Sequence, residues 1–379
     1  MHEIDRILQL WTESESRGES AVLATVVKTR GSSYRLPGAR LLLVSTGQRA
    51  GSVSGGCLED DLVKKAWWLT EGGPIVRRYD TTPEDDIAPA YGLGCSGIIH
   101  VLLERLRSGE ASILPLWRDV RSQRRPALVA HVVEPPNAVG RRLMIDTAGR
   151  VSHNIANEDL VELIEAEARS ALASHSSRVV HLRDGAEAFL ETLAPAVRLL
   201  IFGAGDDAVP LTNLAKLLGW DVFVLDGRAH YARREKFPRA DKIVVRSAGQ
   251  EELIPAVDPW TVAVLMTHSY SQDLDILREL SSRPLRYLGI LGPRKRTARL
   301  LSDAAFDAAT FSPALHSPVG LDIGADGPEQ VALAVAAEIQ ATLNGREGGM
   351  LRDRAGSIHA QEEGSDDPQS LWLKSIVCA

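Results

Sequence analysis

The run Leu199-Leu-Ile-Phe-Gly-Ala-Gly-Asp-Asp-Ala208 decides the fold of the second half of the chain. Its apolar start predicts a buried strand, and a G-x-G-x-x-A turn follows at once. Apolar residues then recur at helical spacing, at Leu211, Leu214, Ala215 and Leu218. A second apolar strand, Asp221–Leu225, ends in Asp226. Strand, glycine turn, helix, strand and acid in this order predict a Rossmann-like, doubly wound parallel sheet.

The glycine turn suggests a ligand as well as a fold. In dinucleotide-binding units the positions of Gly203 and Gly205 approach a pyrophosphate, and the position of Asp226 binds ribose hydroxyls. An alternative role for Asp226 is to cap a loop rather than to bind ribose. Asp206 lies inside the turn, where an unpaired carboxylate would repel phosphate. We therefore expect NAD or NADP to bind weakly or not at all.

The β/α alternation continues to about residue 345. Strands are predicted at Lys242–Val245, Thr261–Met266 and Tyr287–Leu291, and a last helix at Glu329–Leu343. His268 and Arg294 come just after two of these strands, and ligands of open parallel sheets sit at the carboxyl ends of strands. Both are candidate ligand-binding residues. The alternatives are a loop histidine bonded to nearby backbone and a solvated helix start.

A second glycine turn lies in the first half, in Gly51-Ser-Val-Ser-Gly-Gly-Cys-Leu-Glu59. The pattern predicts a strand, a tight turn and a helix that begins near Cys57. Free N–H groups and the helix dipole favour anions there and lower the pKa of a thiol. Ser54, Gly55, Gly56 and Cys57 are therefore candidate binding residues, and a small buried cysteine in a tight turn is the alternative.

A third glycine turn, Gly92-Leu-Gly-Cys-Ser-Gly97, contains Gly94 and Cys95. It lies between predicted strands at Ile75–Tyr79 and Ile98–Leu106. We expect Cys57 and Cys95 to come close in space and to form part of one ligand-binding site.

The first half contains an internal repeat. Gly140-Arg-Arg-Leu-Met-Ile145 matches Gly38-Ala-Arg-Leu-Leu-Leu43, and Ala127–Val133 echoes Ala21–Val27. Residues 1–195 are therefore predicted to form an α+β domain of two related strand–hairpin–helix units. Residues 196–345 follow as the Rossmann-like domain, and 346–379 as a flexible tail.

The repeat also provides an internal control for the cysteine turn. Where the first copy has Ser54-Gly-Gly-Cys57, the second has Ala156-Asn-Glu-Asp159. A joint of this type does not need Gly-Gly-Cys to fold, which favours a functional role for Cys57.

Composition restricts the class of protein. Among 379 residues, 50 are acidic and 43 basic, so nucleic acid is an unexpected partner. Three cysteines give no disulfide framework and fit a reducing compartment, so we expect a cytoplasmic protein. No apolar run is long enough to span a bilayer, and no membrane partner is expected.

Taken together, these motifs resemble the XdhC/CoxI family, the accessory proteins of xanthine dehydrogenase and related molybdenum hydroxylases. The resemblance spans nearly all of residues 1–345, in order. It rests on the three glycine turns and on the segments Gly31–Arg40, Tyr79–Thr82, Met266–His268, Leu288–Arg294 and Ser317–Gly324. One departure is Asp206, where family members often carry a histidine.

The resemblance implies a carrier of the molybdenum cofactor (molybdopterin) rather than an enzyme. Such proteins protect the cofactor while a cysteine desulfurase supplies its terminal sulfur, then deliver it to the apo-hydroxylase. Cys57 and Cys95 are then candidate ligands of the thiophilic molybdenum. Association of two copies of the chain is compatible with the sequence.

Two other classes remain open. An NAD(P)-dependent oxidoreductase has the right order of elements but leaves the cysteine turns unexplained. A zinc protein would have only Cys57, Cys95 and His100 as ligands, which is few for a structural site.

Overall fold

The computed structural model describes residues 3–31, 33–80, 97–106, 113–245, 255–306 and 315–354, with the backbone alone at Cys57 and Asp184. Two compact units make up the chain, Glu3–Pro195 and the residues from Ala196 onward. The turn at 92–96 and the tail beyond 354 lie outside the described residues.

The first copy of the repeat forms a five-stranded sheet with one helix on its outer face. The elements are α1 (Glu3–Ser16), β1 (Ala21–Gly31), β2 (Arg40–Val44), β3 (Arg49–Gly51), α2 (Cys57–Leu69), β4 (Ile75–Asp80) and β5 (Gly97–Leu106). The strand order is β3-β2-β1-β5-β4, with antiparallel neighbours throughout.

The second copy has the same topology. Its elements are α3 (Ile113–Gln123), β6 (Ala127–Glu134), β7 (Arg142–Ile145), β8 (Val151–His153), α4 (Glu158–Ala173), β9 (Arg178–His181) and β10 (Glu187–Leu193). The strand order, β8-β7-β6-β10-β9, reproduces that of the first sheet element by element. The predicted α+β fold built from two related units is therefore confirmed; helix α3 was not predicted from the sequence.

Apolar side chains pack a helix on the outer face of each sheet and pack the two sheets against each other. Helix α2 packs Leu58, Leu62 and Ala66 on the outer face of the first sheet. Helix α4 does the same on the second sheet with Ile164 and Ala168. Between the sheets, the strands of both copies share two further clusters that include Leu23, Val129, Leu102 and Phe189. The inner faces of both sheets are thus buried against each other.

The second unit is a six-stranded parallel sheet. Its elements are β11 (Arg198–Phe202), α5 (Ala208–Leu217), β12 (Asp221–Asp226), β13 (Lys242–Val245), β14 (Thr261–Leu265), α6 (Tyr270–Leu280), β15 (Tyr287–Ile290), α7 (Arg294–Ala304), β16 (Leu315–His316) and α8 (Pro328–Leu343). The order β13-β12-β11-β14-β15-β16 is that of a Rossmann fold, so this prediction is also confirmed. Among the described residues, no helix has the length and apolar character required to cross a membrane.

Candidate functional site

The turn after β3 has the predicted strand–turn–helix form, and α2 begins at Cys57. Gly56 is the residue that caps the helix, with φ of 124°, a value that L side chains rarely adopt. A Cβ atom on Gly56 would meet no heavy atom within 4 Å, whereas one on Gly55 would lie 4.0 Å from Cγ of Tyr34. Glycine at position 56 is therefore required by the backbone conformation, and the space beside it is open.

The carboxylate of Glu59 lies at the centre of this turn. Its Oε1 accepts hydrogen bonds from Ser52 Oγ (2.8 Å), Val53 N (3.0 Å) and Ser54 N (2.8 Å). Its Oε2 accepts from Gly56 N (3.0 Å) and from Ser54 Oγ. Burial alone would raise the pKa of Glu59, but the hydrogen bonds from Ser54 and Ser52 outweigh it and lower the pKa to about 2. The side chain is thus a buried, ionised anchor.

This arrangement corrects one expectation. Free N–H groups at this turn were expected to favour an anionic ligand, but the amides of Val53, Ser54 and Gly56 donate to the protein's own carboxylate. The signal that could have revealed Glu59 is its position, because a glutamate at the third helical residue commonly reaches back to the capping residue.

The segment that contains Cys95 begins and ends at the same end of the first sheet as the Cys57 turn. Strand β4 ends at Asp80, strand β5 begins at Gly97, and Gly97 pairs with Gly31 at the end of β1. Strand β3 runs toward this end and leads into the turn. Gly94 and Cys95 themselves lie outside the described residues, so the approach of Cys57 and Cys95 stays a prediction.

His100, the third residue of the zinc alternative, is half-buried on β5 opposite Lys28. Burial and the charges of Lys28 and Arg78 lower its pKa. No group of three or more His, Cys, Asp or Glu side chains suited to a metal occurs in the described part of the chain, which includes neither the Cys57 side chain nor Cys95.

A groove of about 810 Å³ lies beside the turn, between α1 and β3. Three guanidinium groups line it, from Arg6, Arg35 and Arg49. Glu3 connects two residues that line the groove. Its Oε1 accepts a hydrogen bond from Ser52 N (2.8 Å), and its Oε2 forms an ion pair with Arg35 (2.5 Å). The lining also includes the carboxylate of Glu13. Arg6 and Arg49 form no ion pair with another described residue, so these two cationic groups are available to an anion.

In the second unit, packing explains the first glycine of the Rossmann turn, Gly203. A Cβ on Gly203, where φ is 115°, would lie 2.3 Å from the backbone oxygen of Met266. A Cβ on Gly205 would lie 2.3 Å from Oδ1 of Asp207. Gly203 lets the turn approach the backbone of the neighbouring strand, so its presence is no evidence for a bound nucleotide. The atom that faces Gly205 is the end of a side chain, so packing does not require that glycine.

Asp226 binds the turn and a neighbouring arginine. It accepts from Ala204 N (2.7 Å), Arg228 N (2.8 Å), Arg228 Nε (2.9 Å) and Arg228 Nη2 (2.8 Å). Burial would raise its pKa, but these hydrogen bonds lower it. Of the two alternatives for Asp226, ribose binding or capping a loop, these contacts favour the cap, because the carboxylate is already bound by donors of the protein.

Asp206 is not the unpaired carboxylate that the sequence suggested. It forms an ion pair with Lys236 at 2.7 Å, and this hydrogen bond and charge lower its pKa. Lys236 also donates to the backbone oxygen of Ala204 at 2.8 Å. The argument against phosphate at this turn was therefore wrong in its premise, because a lysine neutralises the charge.

His268 follows β14 in a left-handed conformation with φ of 58°. Its Nε2 lies 2.7 Å from Oδ2 of Asp207, which follows β11. The expected alternative was a bond to nearby backbone; the partner is instead this carboxylate, which sequence reasoning missed. Strands β11 and β14 flank the point where the strand order reverses, the usual ligand crevice of this fold. The pair thus spans the crevice.

Arg294 is the first residue of α7, and its side chain is exposed. Its neighbour Arg296 pairs at 2.7 Å with Asp273, a carboxylate that is buried beside Thr267. The structure therefore brings His268 to the Rossmann turn, while Arg294 stands at the end of the next strand.

These features define a protein that joins a duplicated α+β unit bearing a cysteine turn to a Rossmann unit with a His–Asp pair. The model of the XdhC Rossmann domain matches residues 199–339, and that of the XdhC and CoxI family matches residues 14–80. The chain is 35% identical to a probable xanthine dehydrogenase subunit of Bacillus subtilis (strain 168), across 85% of this chain and 92% of that protein. The chain belongs to the XdhC and CoxI family.

Two further relatives agree with this assignment. The molybdenum cofactor insertion chaperone PaoD of Escherichia coli (strain K12) is 26% identical over 88% of this chain and 86% of its own length. The crystal structure of a xanthine dehydrogenase from Bacillus halodurans matches with a TM-score of 0.76 and 30% identity, over 92% of this chain and 97% of that one.

Proposed function

We propose that the protein binds the molybdenum cofactor and supports its sulfuration and its insertion into xanthine dehydrogenase or a related molybdenum hydroxylase. The observation that carries the proposal is the turn before α2. It places Cys57 at the first residue of a helix, beside an open glycine, and the second copy of the same fold lacks it. The name of the E. coli relative, a cofactor insertion chaperone, supports the same role.

The residues fit two chemically different ends of the cofactor. A cysteine suits a thiophilic metal, so Cys57 and Cys95 are the proposed contacts of the molybdenum end. The cofactor's phosphate needs donors that the turn does not offer, and the arginine-lined groove beside Ser52 offers them. When bound, the cofactor supplies the molybdenum centre that the recipient hydroxylase uses.

The second unit, taken by itself, is a proposed site for a phosphate or for the nucleotide of a dinucleotide form of the cofactor. Gly203, Gly205 and Asp226 shape the turn, and His268 and Arg294 are the proposed side-chain contacts at the strand ends. The exposed guanidinium of Arg294 at this edge suits an anionic group, while Nε2 of His268 is already bound to Asp207.

The proposed partners follow from the role. They are the apo molybdenum hydroxylase that receives the cofactor and a cysteine desulfurase that supplies sulfur, both in the cytoplasm. A carrier must release its ligand, and a site beside an exposed glycine turn suits release. Three cysteines in the whole chain are too few for a four-cysteine iron–sulfur cluster, which favours an accessory role over hydroxylation by the chain itself.

The competing oxidoreductase function has one observation in its favour, the Rossmann order of strands. Against it stands Asp226, whose oxygens are bound by Ala204 and Arg228. A titration with NAD and NADP separates the two functions, and micromolar affinity would favour the oxidoreductase.

The test of the proposal uses the full chain purified from a host that makes the cofactor. Molybdenum and released pterin are measured on the protein, and the protein is then added to apo-hydroxylase with cofactor. We expect bound pterin and hydroxylase activity only when this protein is present. Full activation of the hydroxylase in cells lacking it would contradict the proposal.

A further inference from the structure

Glu59 has no counterpart in the second copy of the repeat. The alignment that places Leu160 on Leu58 places Val161 on Glu59. Val161 is buried in the apolar core beneath α4, and that helix is capped by Asn157, whose side chain accepts from Leu160 N at 3.2 Å. The same strand–helix joint is thus built with an ordinary cap and an apolar side chain.

Burying a carboxylate at such a joint costs desolvation free energy. Glu59 is 6% exposed, and a charge removed from water is tolerated only when it is fully hydrogen-bonded. Valine in the second copy incurs no such cost. The carboxylate therefore serves something that the first copy has and the second lacks, which is the Gly-Gly-Cys turn.

We propose that Glu59 is a positioning residue that fixes the turn presenting Cys57 to the cofactor, an inference that rests on the proposed function. Its two oxygens act on opposite sides of Gly55. Oε1 holds Val53 and Ser54 on the strand side, and Oε2 holds Gly56 on the helix side.

The hydroxyl of Ser54 extends this network into the helix. It donates to Glu59 and lies 3.2 Å from both Gly56 N and Leu58 N, the amides on either side of Cys57. Two successive glycines have the widest backbone freedom of any dipeptide. The carboxylate and this hydroxyl therefore restrict a segment that would otherwise sample many conformations.

The same geometry restricts the kind of group the turn accepts. Its inward donors are bound to Glu59, and the negative charge of Glu59 opposes a second anion at that place. The turn therefore leaves no place for a second anion where the Glu59 carboxylate lies.

Three variants of the full chain test the inference. Glu59→Val installs the residue of the second copy, and Glu59→Gln keeps an acceptor at the Oε1 position but sets an NH₂ group against Gly56 N. Asn157→Ala is the matched control, because it removes the cap of the other copy and leaves the cysteine turn intact. Amide hydrogen exchange at residues 52–58 is read at single-residue resolution, together with bound pterin.

In Glu59→Val we expect exchange at Val53, Ser54 and Gly56 to accelerate by about tenfold or more, with loss of bound pterin. In Glu59→Gln the acceleration should be concentrated at Gly56. Asn157→Ala should leave both readouts at the wild-type level. Wild-type exchange in Glu59→Val, or in Glu59→Gln if the valine variant does not fold, overturns the inference. Absence of pterin from the wild-type protein overturns the proposed function instead and leaves the exchange result standing.

Discussion

Arg40 and Glu191 form a buried ion pair that joins the two copies of the repeat, with Arg40 Nη1 2.7 Å from Glu191 Oε1. The repeat produces a second ion pair, in which the arginine comes from the second copy and the glutamate from the first. Arg142 occupies the position of Arg40 in the other copy, and it pairs with Glu104. Glu104 lies opposite Leu23 and Glu191 opposite Val129, which are themselves equivalent positions. Each copy thus contributes one arginine and one glutamate to two equivalent ion pairs across the interface.

Breaking one of these pairs should destabilise the first unit strongly. Arg40→Met leaves the carboxylate of Glu191 buried without its main cation, which costs about 3–5 kcal/mol of unfolding free energy. The additional change Glu191→Leu removes the stranded charge and should recover most of the loss. Chemical denaturation measures both, and the exposed pair of Arg169 and Glu165 provides the control. An Arg40→Met variant no less stable than Arg169→Ala would contradict the assignment.

The same pair predicts a dependence of stability on acid. Burial would raise the pKa of Glu191, but the charge of Arg40 and its hydrogen bonds to the carboxylate lower it to about 2. The unfolded chain therefore takes up a proton near the ordinary carboxyl pKa while the native chain stays ionised. The unfolding free energy should fall as the pH is lowered from about 4.5 toward 2. The Arg40→Met/Glu191→Leu double variant should lose part of this slope, and an unchanged slope would argue against the shifted pKa.

The sequence predicted features that depend on neighbouring residues and missed contacts between residues far apart in the chain. Apolar periodicity and glycine turns act locally, so they predicted the Rossmann strands and the start of α2 at Cys57. The pairs Arg40–Glu191 and Asp207–His268 join residues far apart in sequence, and no local pattern indicates which charges will meet. Lys236 reaches Asp206 for the same reason, and without it the charge of the Rossmann turn was misjudged. Glu59 was within reach of sequence reasoning, through its position at the helix start.

Loss of either cysteine of the first unit should release the cofactor. Cys57→Ala and Cys95→Ala are expected to purify with little bound pterin and with thermal stability close to wild type, because a small side chain is removed from each turn. Cys378→Ala is the matched control, since it removes the third thiol of the chain. Pterin content like that of the control in both variants would refute a role for these thiols, and a loss of thermal stability alone would favour a structural one.

The Rossmann unit should bind NAD weakly, because Asp226 is bound by Arg228. Arg228→Ala removes the Nε and Nη2 donors and leaves the two backbone donors, so the carboxylate becomes available to ribose hydroxyls. Titration calorimetry should therefore show tighter NAD binding in this variant than in wild type. Arg233→Ala, an exposed change in the same loop, should show no gain. Micromolar NAD binding by the wild-type chain would contradict this interpretation.

His268 should be dispensable for stability and required for ligand retention. Its left-handed backbone costs an L residue about 1–2 kcal/mol, so His268→Gly relieves strain while losing the bond to Asp207, and the two effects should nearly cancel. Ala305→Gly is the matched control, because Ala305 ends α7 in the same left-handed region, with φ of 57°. It should stabilise the protein by up to about 1 kcal/mol and leave bound pterin unchanged. Thermal unfolding and pterin content are measured on both variants. A strained residue kept at the ligand crevice is expected where function favours it. If His268→Gly retains as much pterin as Ala305→Gly, His268 does not contact the cofactor.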